Sequence, residues 1–465
     1  MKILIAASEV SPIVKIGGLG DFIGSLPKAL EKIGVNADVI VPFFPTARTE
    51  DFTVYKSHDI FVPFGGGVHT VEVHKTVLPN SAVDVILLKN HDYFNSGGVG
   101  FFEKNLSETE MYAFFDRCVV EFIKSGFNTY DVVHCNDWHT GLVTHLLQDE
   151  IPDSRPATLF TIHNIMYQGL GNSETVKRVG IVPGSHPLID WDVADGDLNM
   201  IQQGIASSDF INAVSPSYAE EILTEEYGGS LSDILLARRS RLSGILNGID
   251  YSMFPRSFDN KNWEEGKNNA KKYIQKSLGL KDSIDSPIFS YIGRVDSNQK
   301  GISLIYDVVE EIIRSGGQFI FLGKGESKWE QKLKNLEKIN NVSINISFDI
   351  QLANNIYSAS NYLLIPSKYE PCGLIQMIAN WYGTLPIARK TGGLKDSIKN
   401  GNNGILFDNY SVDALQDAIY KALLIYKDKD KYRKMVDNAM NMDFSWDKSA
   451  VLYKELYERI LESRN

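Results

Sequence analysis

At 465 residues, with 43% hydrophobic and 23% charged content, the chain has the make-up of a globular protein too long for one core. About three domains is the naive length expectation, and two large α/β domains fit equally well. Its 47 basic and 58 acidic residues leave a net charge of −11, which excludes a generally basic surface for nucleic acid or anionic membrane. Cys118, Cys135 and Cys372 are isolated, so neither a disulfide framework nor a zinc site is expected. The opening MKILIAASEV runs directly into a strand, and its apolar run is short for a signal peptide. No stretch approaches the roughly 20 apolar residues of a membrane span, so a cytoplasmic protein is expected.

Lys2 to Ala7 reads as a buried strand, followed by a loop and then Ile16-Gly17-Gly18-Leu19-Gly20-Asp21. A helix is expected from roughly Asp21 to Ile33, ended by Gly34, with a second strand over Ala37 to Val41. In a dinucleotide fingerprint the glycines turn directly out of the strand, whereas about eight residues intervene here. A long Gly-rich loop carrying Lys15 ahead of a helix suits a phosphate or a sugar better. Residues 52–93 look β-rich and partly antiparallel, His91 to Gly100 reads as a loop near a site, and Glu108 to Lys124 as a helix. Strands at Val132 to Asn136 and Ala157 to Thr161 end in Asp137-Trp138-His139 and His163-Asn164, where α/β enzymes place polar chemistry. Further strands are expected at Asp209 to Ser215 and within Leu242 to Asp250. Tyr251 to Lys281 is charged, lacks apolar periodicity and reads as a linker.

Alternation then restarts. A strand at Ile288 to Ile292 delivers Gly293-Arg294 and Asn298-Gln299-Lys300-Gly301, followed by a helix over Ile302 to Arg314 and a strand over Phe319 to Leu322. Tyr362 to Ile365 is a buried strand leading to Glu370-Pro371-Cys372-Gly373 and a helical stretch from Leu374 to Tyr382. Leu385 to Ala388 delivers a second loop, Thr391-Gly392-Gly393, and helices close the chain at Asp413 to Tyr426 and Lys448 to Leu461. This is an α/β protein of two Rossmann-like domains with a cleft between them. Arg294 and Lys300, Glu370 and Lys15 beneath the Gly loop describe a diphosphate site that works without a metal. No Asp cluster for Mg²⁺ and no Walker A lysine loop is evident, and no cofactor is expected. Cations would stabilise a departing diphosphate while a sugar passes through an oxocarbenium-like state. The residues alone lead to a two-domain enzyme acting on a phosphate-bearing ligand.

With these motifs assembled, the sequence resembles the bacterial glycogen synthase and plant starch synthase family, retaining glucosyltransferases of the GT-B fold (glycosyltransferase family 5). The markers span nearly the whole chain: SEVSPIVKIGGLGD (Ser8–Asp21), HCNDWHTGL (His134–Leu142), FTIHNIMYQG (Phe160–Gly169), AVSPSYAEEI (Ala213–Ile222), SGILNGID (Ser243–Asp250), GRVDSNQKG (Gly293–Gly301), the stretch Pro366–Asp396 with EPCGL and TGGL, and MDFSW (Met442–Trp446). The resemblance implies a first domain over 1–247 on the acceptor side, a donor-binding domain over 248–443, and a terminal helix within 444–465 crossing back to the first. It implies transfer of glucose from ADP-glucose to the non-reducing end of an α-1,4-glucan (glycogen or maltooligosaccharides) with retention of configuration. Lys15 and Gly18 would meet the donor diphosphate, Arg294 and Lys300 would neutralise the leaving ADP, and Thr391 and Gly392 would close on phosphate. Glu370 with the backbone of Cys372, Gly373 and Leu374 would hold the glucose. His163, with Asp137 nearby, would stand by the reacting centre, and Phe348 stands where the family has a tyrosine facing the adenine. Two segments depart from the family pattern. Gln202 replaces a common lysine in Leu198–Ile205, and Phe94–Phe101 lacks the arginine and tyrosine of the family's acceptor loop. Alternatives are a relative using UDP-glucose or forming maltose 1-phosphate, and a glucan-binding protein with weakened catalysis. Oligomeric state is left open.

Overall fold

Short, mostly apolar runs build the centre of the first sheet, because strands covered by helices on both faces bury nearly every side chain. The computed structural model describes residues 1–15, 17–95, 107–182, 184 and 186–464. β1 (Lys2–Ala6), β2 (Asn36–Pro42), β6 (Val132–Asn136) and β7 (Ala157–Ile162) are of this kind, and β6 is buried at every position. With β3 (Tyr55–Phe64), β4 (Gly67–Val77), β5 (Asp84–Lys89), β10 (Phe210–Ala213) and β11 (Leu242–Gly244) they form a nine-stranded sheet, order β11-β10-β7-β6-β1-β2-β5-β4-β3. β8 (Leu170–Asn172) and β9 (Asp197–Asn199) form a separate ribbon. β4 pairs antiparallel with β5 and with β3, whose alternating exposure marks a sheet edge with one face to solvent. Among the described residues, no helix is long and apolar enough to cross a membrane.

The chain divides into two compact units. Unit 1 holds Met1–Val214, Ala219–Gly248 and the chain from Trp446 onward; unit 2 holds Ser215–Tyr218 and Ile249–Ser445. In unit 1, α1 (Gly18–Lys32), α2 (Glu108–Lys124) and α3 (Val143–Glu150) follow their strands. α2 starts where Ser107 accepts the Glu110 amide, a side-chain cap that satisfies one of the helix's orphan donors.

In unit 2, β12 (Ile288–Ile292), β13 (Gln318–Leu322), β14 (Val342–Asn345), β15 (Tyr362–Ile365), β16 (Leu385–Arg389) and β17 (Ile405–Phe407) are all parallel, in the order β14-β13-β12-β15-β16-β17. This is the doubly wound order, with the strand direction of travel reversing between β12 and β15. In unit 1 the same reversal falls between β1 and β6.

Tyr251 to Lys281 is not a linker. It contains α4 (Trp263–Ser277), whose buried face is Trp263, Lys267, Lys271, Ile274 and Gln275. The spacing is helical, but three of the five buried positions are polar, two of them lysines, so no apolar period shows in the sequence. Lys267 Nζ donates to the carbonyls of Ser358 (3.1 Å) and Tyr382 (3.0 Å) and to Thr384 Oγ1 (2.9 Å). Those carbonyls lie at the C-terminal ends of α5 (Ile350–Ala359) and α6 (Ile375–Trp381), where a cation meets the negative end of the helix dipole.

α7 (Gly392–Ser397) and α8 (Val412–Lys427) follow, and α9 (Lys429–Met440), also absent from the sequence reading, starts at an Asp428 cap. The last helix, α10 (Trp446–Glu462), belongs to unit 1. Tyr457 OH meets His134 Nδ1 at 2.8 Å, Tyr453 OH accepts from Asn212 Nδ2 at 2.9 Å, and Trp446 packs edge-on against Phe22 at 5.3 Å.

Replacing Lys267 with Met keeps the stem but strands the carbonyls it serves. A loss of about 2–4 kcal/mol is expected, read as a lower urea midpoint for unit 2. Unchanged unfolding would show that the ammonium is dispensable there.

Candidate active site

Ligands of doubly wound sheets bind beyond the carboxyl ends of the strands at the reversal. In unit 2 that position receives the loops after β12 and β15. Asp296 shapes the first loop: its side chain accepts the Asn298 and Gln299 amides at 3.0 and 3.1 Å, and its carbonyl accepts the Lys300 amide at 3.0 Å. The turn aims Lys300 at the second loop, where Nζ binds both oxygens of Glu370 at 2.9 and 2.7 Å. Ser367 Oγ donates to Glu370 Oε2 at 2.9 Å, and Glu370 itself is only 5% exposed. Arg294 differs. Gln299 Oε1 accepts from its Nη2 at 3.1 Å, yet the side chain is 58% exposed. One cation is committed to the carboxylate and the other is presented outward.

The loop after β16 is locked to the one after β15 by close backbone approach. A Cβ on Gly392 (φ +43°) would lie 2.0 Å from Glu370 O, and one on Gly393 would lie 2.1 Å from Cys372 O, so only glycine fits at either position. The Gly393 amide donates to Glu370 O at 3.1 Å. Gln376 Nε2 reaches Cys372 O (3.1 Å), Gly373 O (2.8 Å) and Ser397 Oγ (3.1 Å), tying α6 to α7. Thr391 is buried as the residue before α7, and Leu374 precedes α6. Phe348 stands apart from this group at 89% exposure, just before the Asp349 cap of α5.

In unit 1 the reversal receives the loops after β1 and β6. Lys15 is not a solitary cation: its Nζ pairs with Asp21 at 2.6 Å, on the first turn of α1 that Gly18 opens. Buried Glu9 accepts the Gly17 amide at 3.0 Å, a role the sequence reading passed over although the acid stands in the SEVSP run.

Past β6, Asp137 sits at φ +55°, strained for a residue with a side chain. Its Oδ1 accepts the His163 amide at 2.7 Å and the Asn164 amide at 3.4 Å. Burial pushes Asp137 up to about 7, with the nearby Glu9 charge adding to the rise. The His163 ring faces Asn136 Oδ1 through Nε2 at 3.0 Å and meets the edge of Phe22 at 4.7 Å. Burial pulls His163 down to about 3, so the imidazole is neutral. His139 turns elsewhere, stacked on Trp138 at 4.1 Å and likewise held neutral by burial. Within unit 1 the structure therefore joins Asp137 to His163 and pairs Lys15 with Asp21 on the helix that Gly18 opens; within unit 2 it joins Lys300, Glu370 and the two glycine loops, with Arg294 beside them. Positions 96–101 of the expected acceptor loop lie outside the described residues. Among the described residues, no cluster of three or more His, Cys, Asp or Glu side chains could hold a metal ion.

Residues 2–237 match the starch synthase catalytic domain, and residues 275–442 match the glycosyl transferases group 1 family. A glycogen synthase of Fervidobacterium nodosum is 39% identical, with 99% of each chain covered. One from Kosmotoga olearia is 39% identical over all of this chain and 98% of its own. The chain belongs to the glycogen synthase family. The catalytic domain of starch synthase IV from Arabidopsis thaliana, solved with ADP and acarbose, superposes with a TM-score of 0.88 at 29% identity, with 99% of each chain covered. Sucrose-phosphate synthase from Thermosynechococcus elongatus, 18% identical with a TM-score of 0.63 and 99% of each chain covered, shares the fold. As in other glycogen synthase family members, the architecture is GT-B, with two Rossmann-like domains.

The Asp137 carboxyl gives a test with a definite sign. Its folded value of about 7 stands above the ordinary 3.8, so its contribution to stability is full below the ordinary value and is lost as pH rises through about 7. Asp137→Asn keeps an acceptor for the two amides without that loss. The variant is expected to match the native protein near ~pH 4 and to exceed it by on the order of 2–4 kcal/mol near ~pH 8, in unfolding curves at both pH values. A gap that does not grow with pH would contradict the assignment.

Proposed function

We propose that this glycogen synthase family member transfers glucose from ADP-glucose to the non-reducing end of an α-1,4-glucan, with retention of configuration and release of ADP. The observation that carries the reading is the Lys300–Glu370 pair at the reversal of the unit 2 sheet, with the Arg294 guanidinium presented beside it. A diphosphate leaving group develops negative charge as the glycosidic bond breaks, and fixed cations lower the energy of that state. Arg294 and Lys300 take this role. Lys300 also holds Glu370, so the group that steadies the sugar and the group that receives the phosphate are linked through one ammonium.

Glu370 and the backbone of Cys372, Gly373 and Leu374 hold the glucose, Thr391 and Gly392 close on phosphate, and the exposed Phe348 ring offers the adenine a stacking face without a tyrosine's hydroxyl. Lys15 and Gly18 serve the donor diphosphate; the Lys15–Asp21 pair keeps that lysine's charge in place until an anion competes for it. His163 supports the sugar cation through its carbonyl or its neutral ring, and Asp137 fixes the backbone that carries it. Residues 248–443 serve the donor and residues 1–247 the acceptor, with 444–465 completing the latter. The working location is the cytoplasm.

The assay offers ADP-[¹⁴C]glucose or UDP-[¹⁴C]glucose with glycogen, then with glucose 1-phosphate, the acceptor whose glucosylation gives maltose 1-phosphate. Label is expected in glycogen from the ADP sugar. Equal incorporation from both donors would overturn the nucleotide assignment, and no turnover from either would favour a glucan-binding protein, the reading suggested by Gln202 and the altered Phe94–Phe101 segment.

Lys300→Ala is expected to lower turnover about 10²–10³-fold, the usual effect of removing one transition-state donor, with the circular dichroism spectrum unchanged. Glu370→Ala is expected to fall at least as far; a near-normal rate would remove Glu370 from the reaction.

A further inference from the structure

The two nitrogens of the His163 ring are not equivalent, and a residue outside the expected set decides between them. Asn136 ends β6 fully buried. Its amide nitrogen donates to two backbone carbonyls, Ala6 O at 3.1 Å on the neighbouring β1 and His134 O at 3.1 Å. Carbonyl oxygens only accept, so the Asn136 amide cannot be flipped without facing oxygen to oxygen twice. Its Oδ1 is therefore the atom facing His163 Nε2 at 3.0 Å. That oxygen also only accepts, so Nε2 must carry the proton. In a neutral imidazole the lone pair then belongs to Nδ1.

We infer that Asn136 is a positioning residue: it holds His163 as the Nε2–H tautomer and so presents the ring's Nδ1 as a fixed acceptor for a hydroxyl of the sugar substrate. The backbone of His163 is independently pinned by Asp137, so both ends of the residue are held before any substrate arrives.

The surroundings keep the ring neutral. Phe22 from α1 covers one side with its ring edge at 4.7 Å. His134 is itself neutral and occupied, through Nδ1 by Tyr457 OH and through Nε2 by Thr161 Oγ1. His139 is neutral in its stack on Trp138. The Asp137 carboxylate is turned to the His163 and Asn164 amides, and Glu9 bears on Asp137.

The substrate half of this inference rests on the transferase reading; the tautomer half does not, and the experiment keeps them apart. In the full chain labelled with ¹⁵N-histidine, the His163 signal, assigned by its disappearance in His163→Gln, is expected to show the Nε2–H form across neutral pH. An Nδ1–H or doubly protonated ring would overturn the inference whatever the activity. Asn136→Ala is expected to show mixed tautomers and a kcat about tenfold lower with the KM for donor little changed, because the donor's cations are untouched. Asn136→Ser serves the same comparison if the alanine variant does not fold. A single Nε2–H form or an unchanged kcat in the folded variant would overturn the positioning role. If the native chain shows the predicted tautomer but transfers no glucose, the transferase reading fails while the Asn136–His163 arrangement stands.

Discussion

A buried carboxylate costs free energy unless it is paired and hydrogen-bonded, and the crown of unit 2 is arranged around meeting that demand for Glu370. Lys300 bridges both oxygens and Ser367 supplies a third donor. For Lys300 to reach, the loop after β12 must turn tightly, which Asp296 enforces. For Glu370 to stay down, its own loop must be clasped, which Gly392 and Gly393 allow by touching its backbone and that of Cys372. The site's rigidity thus follows from one electrostatic requirement met by three strand-end loops.

Unit 1 meets a different constraint. Among the described residues, its crown contains no comparable ion pair around His163. It contains neutral histidines, a strained Asp137 and amide groups whose orientations are dictated by carbonyls. Such a network has little freedom once folded, since its donors are tied to acceptors on neighbouring strands and on α10. α10 reinforces it from behind, with Tyr457 OH bonded to His134 Nδ1 and Tyr453 OH accepting from Asn212 Nδ2. The cost appears at Asp137, whose backbone conformation and desolvated carboxyl both oppose stability, as is common where geometry serves chemistry.

Local signals carried much of the fold. The short, mostly apolar runs at β1, β6, β12 and β15 are legible because buried parallel strands carry few polar positions, and α2 is legible to the residue because Ser107 caps it. α4 was not, because Lys267 and Lys271 occupy buried positions where the pattern calls for apolar residues. Their burial is explicable only once the carbonyls of two distant helix ends converge on them. That Arg294, Lys300, Glu370 and His163 follow strand ends was likewise legible, whereas the function of Asn136 depends on partners far away in the chain.

The sequence by itself determined the α/β alternation, the two Rossmann-like halves, the family and the residue types at each strand end. The alternation and the residue types follow from spacing and composition, which are local, and the family from the resemblance of the assembled motifs. Tertiary structure alone decided the strand order, and with it which strand ends become neighbours. It decided that Lys300 pairs with Glu370 while Arg294 faces outward, that Lys15 pairs with Asp21, and that the Asn136 amide can point only one way. Charge pairing and amide orientation are set by what lies across the sheet, and no local pattern encodes that.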